Sequence, residues 1–169
     1  MLKLNVAEIK KSLVGESSFQ FSLRPEELGL TDADLPVVGK IETHGTISNG
    51  GDVLLLHAEL TTQVRRQCAR CLKEFVAPLE TVVDERYYPA QAENLPEDAP
   101  TYQFDIVDIS EALREGLLLA EPVKVLCKAD CKGLCPKCGA DLNVEECRCD
   151  KRSVDPRLAV LEALLQKKD

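Results

Sequence analysis

The sequence predicts an α+β protein: an antiparallel β-sheet or open barrel with flanking helices, joined to a cysteine-rich C-terminal segment. Three observations predict it. One face of two separate runs alternates at period two, through Leu54, Leu56, Ala58 and Leu60 and through Phe75, Ala77, Leu79, Thr81 and Val83. Small and apolar residues repeat at helical spacing at Ile109, Ala112, Leu113, Gly116, Leu117 and Ala120. Six of the eight cysteines fall between Cys127 and Cys149. Period two is the signature of a half-buried strand, and period 3.6 that of an amphipathic helix.

The elements follow in order. A strand from Leu2 to Val6, a short helical turn and a strand from Ser18 to Leu23 lead to a helical turn at Arg24-Pro25-Glu26-Glu27-Leu28, where Pro near the start suits a helix. Val38 to Ile47 and Val53 to Arg66 flank Ser48-Asn49-Gly50-Gly51-Asp52, a strong hairpin signal. Strand pattern resumes from Phe75 to Tyr88, so Cys68-Ala-Arg-Cys71 reads as a turn between two strands. Residues 89–103, with Pro89, Pro96 and Pro100, read as a loop. Asp108 and Glu111 carry a weakened capping-box spacing for the next helix, which Pro122 ends. A last helix is expected from Asp155, with Pro156 at its first position, through Leu158, Leu161 and Leu165. The chain therefore divides into a β-rich domain with one helix, 1–123, and a cysteine-rich segment with a C-terminal helix, 124–169, packed as one unit.

Composition narrows the class. The N-terminal residues lack a continuous apolar stretch and a small-residue cleavage site, so no secretory signal is expected. The longest apolar run, Leu117 to Ala120, is far too short to cross a bilayer. A cytoplasmic protein is the expectation, and in a reducing compartment clustered cysteines are metal ligands more often than disulfides.

Cys135-Pro-Lys-Cys138-Gly139 reads as a zinc knuckle, a tight turn that aims two thiolates at one ion, with Gly139 free to take strained backbone angles. Between Cys131 and Cys149 the apolar residues are only Leu134, Ala140, Leu142 and Val144, too few for a core, so a metal is the natural staple. Cys147 and Cys149 are the second pair for this site, although C-x-C is tight enough that one of them can be a spectator. The turn carrying Cys68 and Cys71 needs two further sulfurs, and Cys127 and Cys131 are the unassigned candidates. That second site would pin the sheet to the C-terminal segment across fifty-five intervening residues. A redox role for Cys68 and Cys71 is the alternative, but a strand turn lacks the helix N-terminus that lowers a thiol pKa.

Enzyme motifs are missing: no phosphate-cradling Gly-rich loop, no H-E-x-x-H and no nucleophile–base pair. All-cysteine zinc sites are closed, whereas catalytic zinc keeps an open position. No small-molecule substrate is expected. His44 and His57 fall on the more polar faces of the hairpin strands, and Tyr87 and Tyr88 can stack on a base but more readily close a strand end.

The run Arg66-Gln-Cys68-Ala-Arg70-Cys71-Leu72-Lys-Glu-Phe75, then Cys131-Lys-Gly-Leu-Cys135-Pro-Lys-Cys138-Gly-Ala-Asp-Leu142-Asn143, then Cys147-Arg-Cys149 and Asp155-Pro156-Arg157-Leu158, resembles the YceD family of large ribosomal RNA subunit accumulation proteins. The resemblance spans essentially the whole chain. It implies a non-enzymatic role in large ribosomal subunit biogenesis, on which 23S rRNA accumulation depends, in bacterial cytoplasm or plastids.

Charge qualifies how such a protein would meet RNA. The net charge of −8 is uneven: residues 1–123 sum to −10 and residues 124–169 to +2. Arg65, Arg66, Arg70, Lys73, Lys132, Lys137, Arg148, Lys151, Arg152 and Arg157 gather around the cysteines. They can contact rRNA phosphates in a salt-dependent way, or offset the net −2 of a four-thiolate zinc site. The partner is 23S rRNA or a large-subunit ribosomal protein, and the alternative is a zinc-stabilised protein–protein adaptor that never touches RNA.

Overall fold

The computed structural model describes residues 1–12, 14–93 and 95–149. Within them the chain forms β1 (Lys3–Asn5), α1 (Ala7–Lys10), β2 (Glu16–Leu23), β3 (Ile41–Asn49), β4 (Leu54–Gln67), β5 (Glu74–Pro89), β6 (Thr101–Tyr102), β7 (Ile106–Asp108) and α2 (Ser110–Leu119). A short 3-10 helix, Pro25–Leu28, follows β2. The five-stranded sheet has the order β2-β3-β4-β5-β6, and β1 pairs with β7 in a separate two-stranded sheet. Strand dominates and helix is scarce among the described residues, so α+β describes the fold only loosely. The main sheet does not close on itself: β2 and β6 are its edges. The expected C-terminal helix lies outside the described residues.

β4 and β5 are the spine. They pair antiparallel over fourteen positions, from Leu54 opposite Tyr87 to Gln67 opposite Glu74. Along β4 every second residue is buried, Leu54, Leu56, Ala58, Leu60, Thr62, Val64 and Arg66, while its neighbours are exposed. Strand pleat alone places these side chains on one face. Burying that face against Ile41 and Ile47 of β3, Leu79, Val83 and Tyr87 of β5, and Ile109, Leu113 and Leu117 around α2 makes the main core. A side chain at Gly116 would collide with Cγ2 of Val83, so glycine lets α2 press onto β5.

Three local expectations change. The predicted loop over 89–103 ends in β6, which runs parallel to β5 with Tyr88 opposite Thr101 and Pro89 opposite Tyr102. β7 then pairs with β1, a partner brought from the chain's other end that local sequence does not signal. Asp108 therefore closes a strand, and its carboxylate accepts the Ser110 N–H at 3.0 Å while Ile109 occupies the cap position of α2. The hairpin behaves as expected. Gly51 takes φ +91 and its N–H donates to Asn49 Oδ1 at 2.9 Å, closing the turn between β3 and β4.

A second, smaller apolar cluster sits beyond the far end of the β4–β5 hairpin. It contains Cys68, Cys71 and Cys131, with Phe75, Leu126, Cys127 and Leu134 packed against it.

Candidate metal centre

The β4–β5 hairpin ends in the turn Cys68–Lys73. The N–H of Cys68 donates to the carbonyl of Lys73 and the N–H of Leu72 donates back to the carbonyl of Cys68, each at 2.9 Å. Leu72 takes φ +60, a left-handed angle that an L side chain adopts at a cost. The same frame recurs at Cys135-Pro-Lys-Cys138. There the Cys135 N–H donates to the Ala140 carbonyl at 2.8 Å, the Gly139 N–H donates to the Cys135 carbonyl at 2.9 Å, and Gly139 takes φ +76. Two unrelated stretches of sequence have folded into one turn, which turns both sulfurs of each C-x-x-C to the same side.

The C-terminal segment lies across the first turn. The Ala69 N–H donates to the Val125 carbonyl at 2.9 Å, and the Leu134 N–H to the Arg70 carbonyl at 3.1 Å. Gly133 makes the crossing possible: it has φ +76, and an added Cβ would stand 3.0 Å from the Arg70 carbonyl oxygen. Arg70 Nη1 donates to the Cys131 carbonyl at 2.8 Å.

These contacts gather eight sulfurs into two groups of four, Cys68, Cys71, Cys127 and Cys131, and Cys135, Cys138, Cys147 and Cys149, with the sulfurs of each group within 4.8 Å of one another. In the first group Cys68–Cys131 and Cys71–Cys127 are 3.7 and 3.6 Å apart. In the second, Cys138–Cys147 and Cys135–Cys147 are 3.5 and 3.2 Å apart. A tetrahedron of thiolates about 2.3 Å from zinc has sulfur–sulfur edges of about 3.8 Å. The donor set and its spacing therefore fit a soft tetrahedral ion such as zinc, and either group can hold one. An ion held there would close the site and staple the segments that supply the sulfurs.

The environments differ. Cys68 and Cys131 are fully buried and Cys71 nearly so, whereas in the second group only Cys135 is buried and Cys138 is exposed. Burial raises the Cys68 thiol, but backbone N–H groups of Cys127, Cys71 and Arg70 outweigh it and bring the pKa to about 6. The Cys135 thiol is also brought to about 6, chiefly by the N–H of Cys138 and then that of Lys137. Burial pushes Cys127 up to about 12, and the neighbouring Cys147 sulfur does the same to Cys149. Each group thus favours one thiolate and resists a full set until a cation balances them.

Asn143, which is not a metal-ligand candidate, braces one sulfur of the first group. Asn143 Nδ2 donates to Cys131 Sγ at 3.6 Å and to Asp141 Oδ1 at 2.7 Å, while Asn143 Oδ1 accepts the Lys132 N–H at 2.9 Å. The Leu142 N–H donates to the Gly133 carbonyl at 3.0 Å, completing a small fold between Cys131 and Cys149. The Asp-x-Asn spacing after the knuckle was the available signal, since such residues bond their own backbone two positions on.

Of the basic candidates, Arg65, Lys73, Lys132, Lys137 and Arg148 are exposed, and Arg70 is exposed with one guanidinium nitrogen engaged. Arg66 is turned inward, 9% exposed, with Nε 3.7 Å from Glu121 Oε1. The strand pleat places Arg66 on the buried face of β4. Lys151, Arg152 and Arg157 lie outside the described residues. His44 and His57 stand on the exposed face of the sheet, pairing with Glu59 at 3.4 Å and Asp84 at 2.7 Å. No described helix is long and apolar enough to cross a membrane.

A family model described as the large ribosomal RNA subunit accumulation protein YceD matches residues 56–165, more than half of the chain. The chain is 26% identical over 158 residues to the Bacillus subtilis protein YlbN, covering 91% of this chain and 92% of that protein. It is 32% identical over 103 residues to the Mycobacterium tuberculosis protein Rv2926c, covering 59% of this chain and 49% of the relative, so the match spans about half of that relative's length. Over a shorter stretch of 49 residues it is 39% identical to the Arabidopsis thaliana chloroplastic protein named large ribosomal RNA subunit accumulation protein YCED homolog 1, covering 29% of this chain and 15% of that one. No solved structure matches it. With the full set of knuckle cysteines inside the matched stretch, this chain belongs to the YceD family.

Proposed function

We propose that the protein is a non-enzymatic zinc-binding factor of large ribosomal subunit biogenesis that acts in the cytoplasm and supports the accumulation of 23S rRNA. In this reading Cys68, Cys71, Cys127 and Cys131 hold one zinc ion and Cys135, Cys138, Cys147 and Cys149 hold another. The gathering of eight sulfurs into two sets of four supports it, in a chain whose family is named for large-subunit rRNA accumulation. Closed four-thiolate sites leave no coordination position for a substrate, so the metal's work is to hold shape.

The shape so held presents Arg65, Arg70, Lys73, Lys132, Lys137 and Arg148 around the two turns. Arg152 and Arg157 extend this basic set along the sequence. Side chains of this kind contact phosphates and position a protein on RNA without reading sequence. Depleting the protein in cells and quantifying both rRNAs tests the process. Selective loss of large-subunit rRNA is expected, and equal loss of both, or no loss, refutes the role.

The net charge of −8 and the inward turn of Arg66 favour a second reading, in which the partner is a basic ribosomal protein and RNA is never touched. Crosslinking in cells separates the two. Adducts between RNA and residues 65–73 or 132–148 support direct contact, and a protein adduct with no RNA supports the adaptor.

A further inference from the structure

β4 carries one row of buried side chains that begins in the main core and ends with Leu60, Thr62, Val64 and Arg66. Cys68, the first residue of the turn just past β4, is buried as well. Val64 belongs to the main core and Cys68 to the cysteine cluster, so Arg66 stands in the boundary between them. Phe75, opposite Arg66 on β5, packs against the cysteine cluster. Residues two apart on one strand face are separated by about 6.6 Å along the strand.

A permanently charged guanidinium is therefore buried one step from a fully buried sulfur. Among the described residues its Nε and Nη2 have no hydrogen-bond partner. Glu121, 3.7 Å from Nε and 35% exposed at its side chain, is too distant to accept that hydrogen bond and remains open to solvent. Burying such a cation with orphaned donors is unfavourable unless another charge balances it.

We propose that Arg66 is the internal counter-charge of the metal centre formed by Cys68, Cys71, Cys127 and Cys131, lowering the energy of a buried four-thiolate zinc site. This rests on the zinc reading above. Four thiolates around a divalent ion leave a net −2, and with Cys68 and Cys131 sealed from water that charge is stabilised by protein dipoles and cations rather than by solvent. Arg66 supplies a full positive charge from inside the fold, and Arg70 braces the same site through the Cys131 carbonyl. The second centre, with Cys138 exposed, has water to do this work. Groups behind metal ligands tune affinity by about 10- to 100-fold.

The test is chelator competition on the zinc-loaded full-length protein, followed by alkylation of freed cysteines mapped by mass spectrometry. Arg66→Met is expected to free Cys68, Cys71, Cys127 and Cys131 at about tenfold lower chelator, leaving release at Cys135, Cys138, Cys147 and Cys149 unchanged. Arg66→Lys is expected to recover part of that loss. Equal retention in Arg66→Met and the native chain, or no recovery with lysine, overturns the proposal. Glu121→Gln serves where Arg66→Met fails to fold. Removing that competing carboxylate should tighten retention at the first centre, and unchanged or weaker retention there overturns the proposal. A native chain purified under reducing conditions with no zinc at these four cysteines would instead overturn the zinc reading itself, a distinguishable failure.

Discussion

The two cysteine turns share a hydrogen-bond frame and differ in almost everything around it. Cys68–Lys73 caps a fourteen-pair hairpin and sinks its sulfurs into an apolar cluster with Phe75, Leu126 and Leu134. Among the described residues Cys135–Ala140 rides on a segment with no comparable core, and Cys138 faces solvent. The left-handed position is leucine in the first, at φ +60, and glycine in the second, at φ +76. A turn fixed by a long ladder tolerates an unfavourable residue at its tip, because the strands on both sides over-determine it. A turn with no such support uses the residue that costs least. The first centre joins distant parts of the chain, and the second organises its own neighbourhood.

Cysteine replacement puts the largest strain on that contrast. Cys68→Ser is expected to lower the stability of the whole β-rich fold by about 4 kcal/mol or more, since it removes a buried metal ligand and leaves its partners unbalanced. Cys138→Ser is expected to lose one zinc equivalent while the β-rich fold changes by no more than about 0.5 kcal/mol. Thermal unfolding with zinc stoichiometry measures both, and equal destabilisation by the two variants would erase the distinction. Asn143→Ala comes next. It removes the amide that reaches Cys131 and the acceptor of the Lys132 N–H, for about 1–2 kcal/mol. Amide hydrogen exchange should rise across 131–143 while the β4–β5 ladder stays protected; protection unchanged in both regions would show the link to be idle.

The turn residues give a smaller effect of opposite sign. Leu72→Gly relieves the left-handed strain and is expected to stabilise by up to about 1 kcal/mol, while Gly139→Leu installs it and destabilises by about 1–2 kcal/mol. Chemical denaturation resolves these, and the same sign for both would break the equivalence of the two turns.

Proton competition distinguishes the sulfurs most finely. In the described fold, with no cation bound, backbone N–H groups bring the Cys68 and Cys135 thiols to about 6 against an ordinary value of 9.0. Folded-state values below the unfolded ones contribute stability that is complete above the ordinary value and disappears as pH falls through about 6. Cys127 and Cys149, pushed to about 12, work in the opposite direction, favouring the fold below the ordinary thiol value and losing that contribution as pH rises toward 12. Thiolate absorbance of the reduced, metal-free protein should therefore rise in separate low and high steps, and one transition at the ordinary thiol value would contradict the assigned environments.

Much of this was legible in residue order. Leu54 through Leu60 and Phe75 through Val83 announced the strands because pleat maps period two directly onto faces. The same alternation, continued through Thr62 and Val64, already put Arg66 on the buried side, although its charge argued for the surface. The Asn49-Gly50-Gly51 turn and the Cys135 knuckle were readable because their geometry closes within six residues. β6 and β7 were not, since two- and three-residue strands owe their existence to partners on β5 and at the N-terminus.

By itself the sequence determined the spine of strands, the two turns and the supply of eight sulfurs, each a property of neighbours along the chain. Only the tertiary structure decided that the sheet stays open, and that Cys127 and Cys131 gather beside Cys68 and Cys71. The reason is physical. Local patterns are set by backbone geometry over a few residues, whereas joining sulfurs across fifty-five residues depends on the burial and hydrogen bonds that bring the segment from Val125 to Leu134 down onto the hairpin tip.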